Sequence, residues 1–230
     1  MDIKWIIRED LYMKKRGFTL AEVMIALALI GVVTSLTIPT FIANSRNKAN
    51  ASRLAAVISS VENTFTTMIA SEAVHDLSET EFGSSQTEEK FGKYMKLAGS
   101  GTSLSSYYGV TSPFKTLNQV AVNPNVTRIF QTKNGALIIF YSKDIAAPTD
   151  GSHPGSLGHV TIDVNGSAKP NIWGRDVFLF RLGYDGLLYP AGGKMYTKMD
   201  TTGSSYKCDG STKNQGCTAR LIENNYEIDF

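Results

Sequence analysis

KKRGFTLAEVMIALALIGVVTSLTIPT, Lys14 to Thr40, decides how this chain is read. Three cations stand directly before an apolar run, and from Phe18 to Ile38 the only ionisable side chain is Glu22. As a helix rising about 1.5 Å per residue, this run spans roughly 32 Å, close to the ~30 Å hydrocarbon core of a bilayer. The positive-inside rule puts Lys14, Lys15 and Arg16 on the cytoplasmic side and the C-terminal remainder on the other. A secretory signal peptide fits less well. Its apolar run is about 7–15 residues, and Pro39-Thr40-Phe41 is a poor cleavage site. A plain anchor fits the length but gives no reason for Glu22, because a mid-span carboxylate costs about 2.5–3.5 kcal/mol on insertion scales.

Over the whole chain the composition is that of a packed protein. The 230 residues are 42% hydrophobic and carry a net charge of +2. The first 17 residues hold Lys4, Arg8, Lys14, Lys15 and Arg16 against Asp2, Glu9 and Asp10, so the remainder is neutral. No basic run appears there, and no nucleic-acid partner is evident.

After Pro39 the apolar residues Leu54, Val57, Ile58, Val61, Phe65, Met68 and Ile69 recur at helical spacing. One helix is expected from about Phe18 to about Ser71, bent near Pro39 by a missing hydrogen bond and loosened at Gly31. Residues 73–125, rich in Ser, Thr, Gly and Glu, read as a connecting region with one short helix at Glu88–Leu97. From Val126 the pattern turns to strands. Val126–Thr132 and Ala136–Ser142 flank Asn134-Gly135, a strong hairpin signal. Further strands are expected at His159–Val164 and Asp176–Leu182, with turns at Asn165-Gly166 and Asp185-Gly186. The fold class is therefore α+β, a long N-terminal helix packed on a small antiparallel sheet. The expected segments are 1–17, 18–39, 40–72, 73–125 and 126–230.

Lys14-Lys15-Arg16-Gly17-Phe18-Thr19-Leu20-Ala21-Glu22 resembles the signal of type IV prepilins and type II secretion pseudopilins. The resemblance extends to Gly31 and Pro39, at spacings where helices of that family loosen or bend. It implies cleavage between Gly17 and Phe18 by a prepilin peptidase, methylation of the Phe18 amine, and retention of the apolar helix. It implies as partners an inner-membrane platform protein, an assembly ATPase and copies of the chain or sibling subunits, with membrane lipid before assembly. It also implies a pilus or pseudopilus as the destination. Because family leaders are short, translation is expected to begin at Met13, with residues 1–12 outside the leader. Cleavage would create a positive amine on Phe18, four residues before Glu22. In a filament of side-by-side helices, a buried carboxylate is tolerated when an amine neutralises it. The alternative is that Glu22 snorkels to the membrane interface.

Many pilins close a C-terminal loop with a disulfide, and the resemblance implies one between Cys208 and Cys217. Such a bridge persists outside the cytoplasm. Free thiols are the alternative. His75, His153 and His159 are scattered, and no H-E-x-x-H, G-x-S-x-G or P-loop occurs. These absences disfavour an extracytoplasmic hydrolase, and the expected chain is not an enzyme. Asp163, Asn165 and Asp176 bracket an oxygen-rich loop of a kind that can hold calcium. Asp and Asn are equally favoured in turns, where their side chains bond nearby backbone. A membrane-tethered binding module that does not assemble is the alternative function. Mass spectrometry of membrane or filament fractions should find an N-terminal peptide starting at a methylated Phe18. A mature protein starting beyond Pro39 would mean ordinary signal-peptide cleavage instead.

Overall fold

The computed structural model describes residues 17–84, 88–122, 126–141, 156–191, 208 and 216–228. The chain divides into two compact units, Met1–Asn44 and Ser45–Phe230. Helix α1, Leu20–Glu72, contains Pro39 and runs past the division. In the first unit its apolar side chains are exposed. In the second, Ala51, Leu54, Val57, Ile58, Val61, Thr64, Phe65 and Met68 form one buried stripe.

That stripe lies on a six-stranded antiparallel sheet. Its strands are β1 (Leu97–Gly101), β4 (Val126–Thr132), β5 (Leu137–Tyr141), β6 (Ser156–Asp163), β7 (Val177–Gly183) and β8 (Leu188–Pro190), in that spatial order. The Asn134-Gly135 turn joins β4 to β5, with Gly135 at φ 85° and Ile129 opposite Ile139. Between α1 and β1 lie a 3-10 turn at Leu77–Glu79 and two short helices, α2 (Glu81–Ser84) and α3 (Glu88–Gly92). They deliver Phe82 and Phe91 to the core. Phe65 stands 5.3 Å from Phe82 and 5.6 Å from Phe91 by ring centroid, and Phe140 closes the group edge-on. Ile138, Val160, Ile162, Phe178, Phe180 and Leu182 belong to this first cluster.

The sheet is buried on its other face as well. Helix α4 (Leu104–Tyr108) and a two-stranded ribbon, β2 (Phe114–Lys115) with β3 (Ala121–Val122), supply part of the cover. There Leu104, Phe114 and Trp173 pack with Ile129, Leu137, Ile139, Val177 and Leu179. Leu137–Phe140 and Val177–Phe180 are therefore continuous apolar runs, as two-sided burial requires. Residues 73–125, expected as a connecting region, build one edge strand and much of this second layer. The expected helix at Glu88–Leu97 stops at Gly92, and Leu97 instead opens β1, paired to Thr132 of β4. A glycine-rich segment has little intrinsic strand preference. Here the ladder to β4 supplies what the sequence does not, and Tyr107 covers Gly101, where a Cβ would stand 3.0 Å from its ring.

The last helix, α5 (Cys217–Glu223), seals the other end of the sheet. Where β8 stops, the Thr218 hydroxyl accepts a hydrogen bond from the Leu179 N–H (3.0 Å), and the Ala219 N–H donates to the Ala191 carbonyl (3.3 Å). Cys217 is buried and bonded to Cys208, which the bridge ties to this helix. On α1, Glu62 accepts a hydrogen bond from the Leu188 N–H (2.9 Å), fixing the helix to β8. Replacing Phe65 with alanine should lower unfolding stability by about 3–5 kcal/mol, the range for deleting a buried ring. The shift of the denaturant midpoint measures it.

Candidate processing and assembly site

A helix starts with backbone N–H groups that its own carbonyls cannot reach. In lipid such groups find no water, so each one needs a protein partner. At the start of α1 the sequence Thr19-Leu20-Ala21-Glu22 answers this with a reciprocal cap. The Glu22 N–H donates to Thr19 Oγ1 (3.2 Å), while Glu22 Oε2 accepts from the Thr19 N–H (2.8 Å) and the Thr19 hydroxyl (2.9 Å). The Thr19 carbonyl then takes the first helical bond, from the Val23 N–H (3.2 Å). This is the capping box, Thr at the cap and Glu three residues on. All the bonds to the Glu22 side chain fall on Oε2, leaving Oε1 open among the described residues. Beside the charge of Glu22, the Thr19-x-x-Glu22 spacing is the sequence signal for this second role.

Gly17 and Phe18 precede this cap outside the helix. Nothing lies within 4 Å of a Cβ built on Gly17, and Phe18 is 87% exposed. The bond between them is thus reachable from the side. Lys14, Lys15, Arg16 and the Met13 start lie outside the described residues. From Leu20 to Ile42 the large apolar side chains are exposed, and α1 is long and apolar enough to cross a membrane. Its hydroxyls turn inward to the backbone. Thr34 donates to the Ile30 carbonyl (2.5 Å), Ser35 to Val32 (2.8 Å), Thr37 to Val33 (2.9 Å) and Thr40 to Thr37 (2.8 Å). Such back-bonding satisfies polar groups that would otherwise meet hydrocarbon. Pro39 lacks the N–H that would reach the Ser35 carbonyl, and a Cβ on Gly31 would meet open space.

The oxygen-rich loop lies in the second unit. Asp163 and Asp176 are both fully buried. Asp163 accepts from the Tyr108 hydroxyl (2.7 Å) and the Asn165 N–H (3.2 Å). Asp176 accepts from the N–H groups of Ile172 (2.5 Å) and Asn171 (2.8 Å) and from Asn165 Nδ2 (3.2 Å). Each carboxylate oxygen therefore faces a donor, and the acids organise the turn between β6 and β7. Among the described residues no group of three or more His, Cys, Asp or Glu side chains is placed to hold a metal. Burial pushes both carboxyls up, Asp163 well above the ordinary carboxylate range, and Asp163 also feels Asp176. The Tyr108 phenol is pushed up first by burial and then by Asp163.

Residues 12–38 match the model for the prokaryotic N-terminal methylation motif. The match identifies this stretch as the prepilin-type signal of type IV pilins and pseudopilins, and such a signal marks structural, membrane-anchored proteins cut by a prepilin peptidase. No curated protein and no solved structure matches the chain.

The raised Asp163 carboxyl gives a pH dependence of definite sign. The folded state keeps a proton that the unfolded chain releases above about pH 4. The stability it contributes is complete below that pH and is lost as pH rises through the folded-state titration. The urea midpoint should therefore fall as pH rises, and Asp163→Asn should make that fall shallower. An equally steep fall in the variant would assign the dependence to other groups.

Proposed function

We propose that this chain, with its prepilin-type signal at residues 12–38, is a structural subunit of a type IV pilus or a type II secretion pseudopilus. The observation that carries the proposal is the start of α1. A cleavable Gly17–Phe18 bond leads directly into a capping box, and the capping carboxylate belongs to an apolar helix whose surface is exposed. Before assembly the subunit is a single-pass protein of the inner membrane with its second unit outside the cytoplasm. Cleavage frees the Phe18 amine, and the helix stays in the membrane.

In the filament, apolar helices of neighbouring copies surround Glu22. Its Oε2 already serves Thr19, and Oε1 receives the Phe18 ammonium of an adjacent subunit. That pair forms in one axial register, so it sets alignment more than net stability, because burying two charges offsets most of their attraction. Gly31 and Pro39 give the helix its two weak points during this packing. The subunit supplies no catalysis. The platform protein and the ATPase drive its extraction from the membrane.

Two substitutions separate the two roles of Glu22. Glu22→Gln keeps the capping box, whose last position takes Glu or Gln, but removes the charge. Glu22→Ala removes both. Cleavage after Gly17 and membrane insertion should persist in each variant, while incorporation into filaments should fall sharply in each. Assembly of Glu22→Gln at the wild-type level would show that the cap matters and the counter-charge does not. Normal assembly of Glu22→Ala would leave a tethered binding module as the better reading. Pelleting of sheared filaments beside wild-type subunits measures incorporation, and the N-terminal mass of the membrane fraction checks cleavage and insertion.

A further inference from the structure

The basic residues that follow the apolar segment are scattered in the sequence, but the fold gathers several of them at one end of the second unit. Arg46 and Lys48 stand on α1 in the first helical turn of that unit. The Asn50 side-chain amide donates to the Arg175 carbonyl (3.2 Å), which brings the turn between β6 and β7 against the same stretch of helix. Lys169 lies in that turn. Lys115 joins it from β2, where its N–H donates to the Asn171 carbonyl (3.0 Å) and its carbonyl accepts from the Trp173 N–H (2.9 Å). Lys133 opens the turn between β4 and β5. A Cβ on Gly166 would stand 2.4 Å from the Gly135 carbonyl oxygen, so this turn presses directly on the one after β6. Six cations from four separate segments therefore surround the end where α1 enters the second unit, and all six are exposed.

The segments that carry these cations hold no acids. Residues 45–61, 109–122, 133–136 and 164–175 contain no Asp or Glu. Asp163 and Asp176, which flank the turn between β6 and β7, are buried and bonded to internal donors. None of the six cations has an ion-pair partner among the described residues. Acids collect at the other end of the unit. Glu72, Asp76, Glu79 and Glu81 lie at the end of α1 and just beyond it, and the Leu77 N–H there donates to the carbonyl of Tyr184, beside Asp185 (2.6 Å). From Lys48 to Glu72 the helix rises about 36 Å. A surface that serves solubility alone intersperses the two signs. Here they are separated along α1.

We propose that the basic end of the second unit docks on an anionic membrane surface, with lipid phosphates as its counter-ions, while α1 is held in the bilayer before assembly. The proposal rests on the reading of residues 18–38 as a membrane span. Arg46 and Lys48 follow Ile42, the last exposed large apolar residue of the first unit, by four and six residues. At 0.1 M salt a charge is felt over about 10 Å. Each Lys or Arg held near an anionic leaflet shifts the balance toward docking by about fivefold. The attraction needs no pocket and no buried contact, because a charged plane acts on exposed side chains. The same plane repels the acidic end, so the separation of charge also sets which way the second unit points.

The test places the ¹⁵N-labelled full chain in nanodiscs of phosphatidylcholine, alone or mixed with phosphatidylglycerol, with a trace of lipid carrying a nitroxide on its headgroup. Broadening of the Gly135, Gly166 and Gly174 backbone amides measures how closely the basic end approaches the headgroups. Phosphatidylglycerol should increase this broadening at low salt. Raising NaCl to about 1 M, where the screening length falls to about 3 Å, should reverse the increase. Lys115→Gln, Lys169→Gln and Arg175→Gln combined should lower the ratio of docked to free units by about tenfold or more and leave the thermal midpoint unchanged. The proposal is overturned if the two lipid mixtures broaden these amides equally, if salt has no effect, or if the triple variant behaves like wild type. Failure of the chain to enter nanodiscs would overturn the span and this proposal with it, whereas entry without a response to lipid charge overturns this proposal alone. Shifts of the same amides with short duplex DNA, and none with phosphatidylglycerol, would assign the basic end to nucleic acid instead.

Discussion

The contact between Phe65 and the rings of Phe82, Phe91 and Phe140 is the interaction on which the second unit depends. It joins three parts of the chain that are far apart in sequence, the second half of α1, the short helices after it and the centre of the sheet. Each ring is fully buried or nearly so. Burying a Phe side chain contributes about 1.5–3 kcal/mol, so this group outweighs any surface ion pair in the molecule. The stripe on α1 and the first face of the sheet follow from it, because a helix with one apolar face needs one apolar surface to lie on.

A different constraint governs the first unit, where the apolar residues of α1 have no protein surface to lie on. There the polar atoms decide what is permitted. Thr34, Ser35, Thr37 and Thr40 return their hydroxyls to backbone carbonyls, and Glu22 returns its carboxylate to the helix start. A helix built in this way presents hydrocarbon along its length and confines its charge to one end. Lipid and other helices of the same kind are the surroundings that suit such a surface.

Much of this was legible in the residues. The long helix was written in its apolar spacing, and the strands around Asn134-Gly135, Asn165-Gly166 and Asp185-Gly186 were marked by turns that need glycine. β1 was not legible, because Leu97-Ala98-Gly99-Ser100-Gly101 becomes a strand only through its ladder to β4. The second layer was half legible. Leu137–Phe140 and Val177–Phe180 do not alternate, which signals burial on both faces, but Leu104, Phe114 and Trp173, which pack there, are too dispersed to form a pattern. At the candidate site the cleavage glycine and Glu22 stood out, whereas the hydrogen bonds of the cap required geometry.

The two-sided sheet has a consequence for how this protein can diversify. The strands separate the apolar residues into two clusters, one on α1 and the other under α4 and the β2–β3 ribbon. Substitutions in groups that share no neighbours combine almost independently. The outer layer can therefore change its loops, charge and surface chemistry from one lineage to the next while the rings around Phe65 stay as they are. A scaffold with its evolvable surface insulated from its helix-bearing core can acquire new external specificities without relearning how to fold.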